Sequence, residues 1–185
     1  MILEGWCCLV SKFYQHLKTI TIHKWKVGKL CFKCGLYKQG LLHDCSKYSW
    51  IEFSAGVRYF QGNRSPIDKE KEVLGVSYGW LHHKGRNKHH WEYWIDHTPN
   101  GMGGLKMPVH YVVEMFCDRV AASMIYYKEN YTNRTALDYF ERGEGEYIMH
   151  EETKALLREM LEYLANTDDL ENTIKMIRKN ILKNY

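Results

Sequence analysis

The stretch Leu41-Leu42-His43-Asp44-Cys45-Ser46-Lys47 constrains the fold more than any other part of the chain. Imidazole nitrogen and carboxylate oxygen both ligate borderline divalent metals, and as neighbours on one helical turn they can reach one ion together. Lys47 follows Asp44 by about one turn, so its ammonium can approach an anion bound to that ion. Two donors leave a coordination sphere incomplete, so the rest of the chain must bring further ligands to the pair. His23 precedes it, His82, His83, His89 and His90 follow it, and Asp118 comes later. Five of the ten histidines fall between positions 82 and 97, a density that no solvated surface requires, and we read the set as a metal site.

With 185 residues the chain predicts one domain with a core of several helices. The 45% hydrophobic and 26% charged residues are ordinary for a soluble globular protein, and three prolines with many Lys/Glu-rich periodic segments point to an all-α fold. A net charge of +4 favours anionic substrates, but without a run of like charges it gives no expectation of duplex nucleic acid binding. The apolar start, Met1 to Val10, is too short for a membrane span and lacks the basic flank of a signal peptide, so we expect a cytoplasmic protein with no membrane partner. Six cysteines in such a compartment read as thiols. Cys31-Phe32-Lys33-Cys34, one pair without a second, reads as two small apolar side chains on a helix face.

In chain order, His23, Val27, Leu30, Cys31 and Cys34 form the stripe of an amphipathic helix from Thr21, with Gly35 as its C-terminal cap. Tyr37 to Lys47 predicts a second helix carrying His43-Asp44. Ser49-Trp50-Ile51-Glu52 reads as a capping box opening a third helix, which Gly62 ends. Ser65-Pro66 opens a fourth, expected to run to Lys84 with His82 and His83 in its last turn. Asn87 can cap a short helix through His89, His90, Trp91 and Trp94. Thr98 to Lys106, with Pro99 and three glycines, predicts a lid-like loop. Met107-Pro108 starts a helix to Tyr127, on which His110, Glu114 and Asp118 share a face. Thr132–Glu141, Glu151–Asn166 and Asp168–Asn184 complete the helices.

The order His23, then His43-Asp44, then Asp118 resembles the ligand order of the HD-domain metal-dependent phosphohydrolases. His43-Asp44-x-x-Lys47 is similar to the lysine-bearing form of that motif in binuclear members. A second resemblance covers nearly the whole chain. Trp80-Leu81-His82-His83, Arg86-Asn87, His89-His90-Trp91-Glu92-Tyr93-Trp94, Met107-Pro108, Glu114-Met115 and Asp118 look like a small family of bacterial and phage proteins known only as a domain of unknown function. The chain departs from the cyclic-dinucleotide hydrolases in lacking Gly-Tyr-Pro and in a short spacing from His23 to His43, departures that bear on substrate more than on metal.

These resemblances imply a single helical domain of HD type over 1–185, with ligand helices within 19–127 and the helices of 132–184 packed on them. They imply one or two divalent transition-metal ions (Mn, Fe, Co or Zn) held by His23, His43, Asp44, His82, His89, His90 and Asp118, with His110 and Glu114 behind them. Asp44, Lys47, Arg86 and His83 are the expected catalytic groups. Lys47, Arg86, Asn87, Trp91 and Trp94 are expected to meet the substrate, a small anion and most simply a nucleotide, with homo-oligomerisation left open. The expected reaction is phosphoester hydrolysis by metal-activated water. Two other functions share the residue pattern: an HD-fold di-iron oxygenase, and a non-enzymatic phage protein that sequesters a nucleotide in the host cytoplasm.

Overall fold

The stripe seen in the sequence is one face of a helix: His23, Val27, Leu30, Cys31 and Cys34 are all buried along α1 (Ile2–Cys34), and Gly35 ends it with a positive φ of 85°. The computed structural model describes residues 2–183, with side chains from 9 onward. It is 73% helix and 5% strand, so the fold class is all-α. The helix starts well before Thr21, taking in the apolar opening segment. No helix among the described residues is long and apolar enough to cross a membrane.

The predicted second helix is shorter than expected. α2 (Tyr37–Leu42) stops before the His-Asp pair, Asp44 adopts a left-handed conformation (φ 53°, ψ 24°), and Cys45–Tyr48 forms a separate 3-10 turn. His43 and Asp44 are therefore not on one helical turn. An αL non-glycine is uncommon, and aspartate is among the residues that tolerate it.

α3 (Trp50–Arg58) follows with Ser49 as an extended N-cap, but the Ser49 side chain makes no cap hydrogen bond, and Glu52 is not the partner of a capping box. α4 (Pro66–Leu74) begins as expected, with the Ser65 hydroxyl accepting from the Ile67 amide. It does not reach Lys84: Gly75, at φ 76°, ends it, and Ser77 starts α5 (Tyr78–Lys84) by accepting from the Trp80 amide. Ser77 also donates to buried Glu70, which ties the two short helices together.

The expected helix around His89 is a 3-10 turn, Trp91–Trp94, and the expected lid is a hairpin. β1 (Ile95–Thr98) pairs antiparallel with β2 (Gly101–Gly104) in the register Ile95 to Gly104 and Thr98 to Gly101. Gly101 has φ 103°, a turn conformation that suits a residue without Cβ. α6 (Val109–Tyr126), α7 (Thr135–Gly143) and α8 (Glu151–Thr167) match the periodic segments. α9 (Leu170–Met176) is shorter than its segment and passes into a π-helical turn, Ile177–Ile181. Asn184 lies outside the described residues.

The chain gathers into two compact units, each made from two separated stretches. The first comprises 1–25 and 44–87, and the second 26–43 and 88–185, so α1 contributes to both. In the first, Ile20, Val57 and Phe60 are buried and Phe13 meets Phe53 edge-on at 5.0 Å. In the second, Val27, Cys31, Phe116, Cys117, Phe140, Leu157 and Leu161 belong to a continuous core. Cys31 and Cys34 are buried free thiols of that core, as a lone C-x-x-C on an apolar face implies.

Candidate metal centre

In the first unit, the reversal at Asp44 turns its carboxylate toward two imidazoles. His23, on α1, approaches with Nε2 3.5 Å from Asp44 Oδ2, and His83, at the end of α5, with Nε2 3.3 Å from Asp44 Oδ1. All three side chains are buried. Separations of this size are long for hydrogen bonds between charged groups. The 3.3 Å separation falls within, and the 3.5 Å separation just beyond, the roughly 3.0–3.4 Å between neighbouring ligands on an ion that each reaches at about 2.1 Å. Lys47 Nζ lies 2.6 Å from Asp44 Oδ2, so this ammonium sits at the carboxylate itself.

Behind these groups stands Glu52, buried on α3, a residue that sequence reasoning missed. Its Oε1 accepts from His82 Nδ1 at 2.6 Å and its Oε2 from His83 Nδ1 at 2.7 Å. Burial pushes the Glu52 carboxyl up, but the bonds from His83 and His82 and a further one from Ser46 outweigh it and hold the group below the usual carboxylate range. Asn87 Nδ2 donates to Ser46 Oγ and to the His83 carbonyl, both at 2.8 Å, which fastens the 3-10 turn to the end of α5. Asn87 is thus a buried brace. Arg86 is exposed, and its Nη1 donates to the His82 carbonyl at 3.4 Å, near the C-terminal end of α5.

His16, seven residues before His23, is also buried, with its ring 5.3 Å from that of Phe53 and 5.8 Å from that of Phe60. Burial first, and then the Lys47 charge, lower its pKa to about 4, so it is neutral at physiological pH.

The second unit builds a similar arrangement around Asp118. His43 Nε2 lies 3.6 Å from Asp118 Oδ1, and His89 Nε2 3.9 Å from Asp118 Oδ2. The two rings tilt against each other at 4.4 Å. Behind them, buried Glu114 accepts from His43 Nδ1 at 2.8 Å and from His89 Nδ1 at 3.1 Å, both on Oε1. His43, His89 and Glu114 are themselves close enough to enclose an ion. However, hydrogen-bond lengths on Nδ1 make Glu114 the support, with the two Nε2 atoms facing Asp118. Burial raises the Glu114 carboxyl and the bonds from His43 and His89 more than reverse it.

His90 is half-buried and packs 4.1 Å from the His89 ring. His110, one turn before Glu114, is half-buried and makes its ring contact with Tyr111. Burial lowers its pKa against the opposing pull of Glu114. Trp91 and Trp94 are half-buried against the core, on Tyr147 and Tyr111, and Trp94 Nε1 donates to the Lys88 carbonyl.

The structure thus places His23, Asp44 and His83 together, and His43, His89 and Asp118 together. His82 is in neither set, and its Nδ1 donates to Glu52. No sequence signal separates Glu52 from a capping glutamate, because Ser-x-x-Glu satisfies that local pattern completely. Only the fold reveals its two imidazole partners.

The described residues therefore include buried His/Asp/Glu groups that could hold a metal ion. No curated protein and no solved structure matches the chain. One family matches residues 12–163, "Family of unknown function (DUF5662)". The match covers most of the chain, which belongs to that family.

Proposed function

We propose that the chain is a metal-dependent phosphohydrolase of HD type, acting on a nucleotide or another small phosphate ester. The observation that supports this reading best is the pair of two-imidazole, one-carboxylate groups. His23, His83 and Asp44 form one, His43, His89 and Asp118 the other: in each, two imidazole Nε2 atoms approach the oxygens of one carboxylate, at 3.3–3.5 Å in the first and 3.6–3.9 Å in the second, and these are donor types that suit a divalent ion. In this reading each group holds one divalent ion. A bound divalent ion supplies a coordinated water of lowered pKa and a positive field for phosphoryl oxygens.

The chain's own residues supply the rest. Asp44 and Asp118 provide negative charge for cation binding. Lys47, at Asp44, can turn one of its three donors to a substrate oxygen, stabilising charge that grows in the transition state. Exposed Arg86 and the overall charge of +4 add attraction for an anion.

The test is a nucleotide and phosphate-ester panel with Mn²⁺, Fe²⁺, Co²⁺ and Zn²⁺, read by phosphate release, on wild type, Asp44→Ala and Lys47→Met. Asp44→Ala should lose bound metal and turnover together. Lys47→Met should keep metal, or bind it more tightly for want of a competing cation, and lose turnover roughly a hundredfold. Full turnover in both variants would refute the role assignment. The two-His, one-carboxylate donor set also suits iron that activates oxygen, so oxygen uptake without phosphate release in the Fe²⁺ sample would make the chain an oxygenase instead.

A further inference from the structure

Four of the chain's imidazoles are held in pairs by two buried glutamates, by the same chemistry in each unit. In the first, one oxygen of Glu52 takes His82 Nδ1 at 2.6 Å and the other takes His83 Nδ1 at 2.7 Å. In the second, a single oxygen of Glu114 takes both His43 Nδ1, at 2.8 Å, and His89 Nδ1, at 3.1 Å. A carboxylate only accepts, so each of these four Nδ1 atoms must carry a proton, which leaves Nε2 as the ring nitrogen that an ion can take. The neighbours of His83 agree. Asn87 Nδ2 also lies 3.1 Å from His83 Nδ1, but Ser46 Oγ and the His83 carbonyl, both at 2.8 Å, take its two hydrogens, leaving the His83 Nδ1 proton for Glu52.

We propose that Glu52 and Glu114 are paired positioning residues that hold the Nδ1–H of His82, His83, His43 and His89, so that Nε2 is the nitrogen each ring keeps for an ion. The inference rests on the metal-site reading for its function, but not for its structural content. A ring free to choose its tautomer presents the wrong nitrogen part of the time, and an imidazole backed by a carboxylate is a stronger donor. His82 is included because Glu52 fixes its tautomer along with that of His83, so its Nε2 is a preset acceptor next to a proposed ligand.

The two glutamates differ in a way that makes the idea testable. Glutamine keeps one acceptor oxygen and replaces the other with a donor. Glu114 uses one oxygen for both partners, so Glu114→Gln can keep both imidazoles locked. Glu52 uses both oxygens, so Glu52→Gln can hold only one of its pair. Long-range ¹H–¹⁵N spectra should show Nδ1 protonated and hydrogen-bonded at all four residues in wild type and in Glu114→Gln. In Glu52→Gln, either His82 or His83 should lose that signature.

Competition with a chromophoric chelator should show Zn²⁺ affinity falling about 10- to 100-fold in Glu52→Gln and only a few-fold in Glu114→Gln, with both alanine variants weakened. Unchanged tautomers in Glu52→Gln, or the same pattern in both glutamine variants, would overturn the proposal. A wild type with the locked tautomers but no Zn²⁺ affinity would leave the positioning intact and remove the metal-site reading instead.

Discussion

His16 shows how one residue can carry a pH dependence for the molecule. Its ring is buried among Phe53, Phe60 and the backbone of Gly56, and its pKa falls to about 4 from an ordinary value of 6.5. Burial is the larger cause and the Lys47 ammonium the second. A histidine whose folded pKa is lowered takes up its proton more readily in the unfolded chain. Its contribution to stability is therefore complete above about pH 6.5 and is lost as the pH falls toward 4, by up to about 3 kcal/mol. Denaturant unfolding between pH 4.5 and 7.5 should show stability rising with pH in wild type and a flatter acid limb in His16→Leu. Equal slopes would show that other groups set the acid limb. Nothing in the sequence marks His16 for this role, since burial, the aromatic walls and Lys47 all come from distant segments.

Among the elements, the packing of α3 against α1 depends on a glycine. A Cβ at Gly56 would fall on the His16 imidazole, which is rigid and cannot swing aside between the Phe53 and Phe60 rings. Gly56→Ala should therefore destabilise the protein by about 1–3 kcal/mol. Adding His16→Ala should recover part of that loss, a non-additivity measurable in a double-mutant cycle of unfolding free energies. Strictly additive effects would mean that the two residues are not in contact. The same scale shows what was readable in the sequence. Ser65-Pro66 and Met107-Pro108 gave helix starts because proline and a capping hydroxyl act locally. Gly75 and Gly101 were also local signals, but the apolar periodicity across Gly75 and the glycine density around Gly101 masked a helix break and a hairpin. The end of α2 at Leu42 had no such signal. No glycine or proline stands at His43-Asp44, and the turn there depends on Asp44 accepting a left-handed backbone that its tertiary partners sustain.

For the whole molecule, the sequence marked most of the residues of the two candidate groups without saying how they divide. Each ligand group joins the two separated stretches of its own unit. His23 comes from the stretch 1–25 and meets Asp44 and His83 from 44–87, while His43 comes from 26–43 and meets His89 and Asp118 from 88–185. An ion in either group would therefore close a long loop of chain, and its binding energy would become folding energy. At a free metal concentration a hundredfold above Kd the gain is about 2.7 kcal/mol per site. For a chain of this length that corresponds to a melting temperature higher by about 5–10 °C. Thermal melts with Zn²⁺ or Mn²⁺ and with chelator should show this shift in wild type. His23→Ala and His43→Ala should each lose part of it, because each breaks the tie in a different unit, and the double variant should respond least. If all four proteins respond alike to metal and chelator, the ion binds elsewhere and neither group is a ligand set. If His23→Ala alone abolishes the shift while His43→Ala keeps it, the first group holds the ion and the imidazoles on Glu114 serve the core.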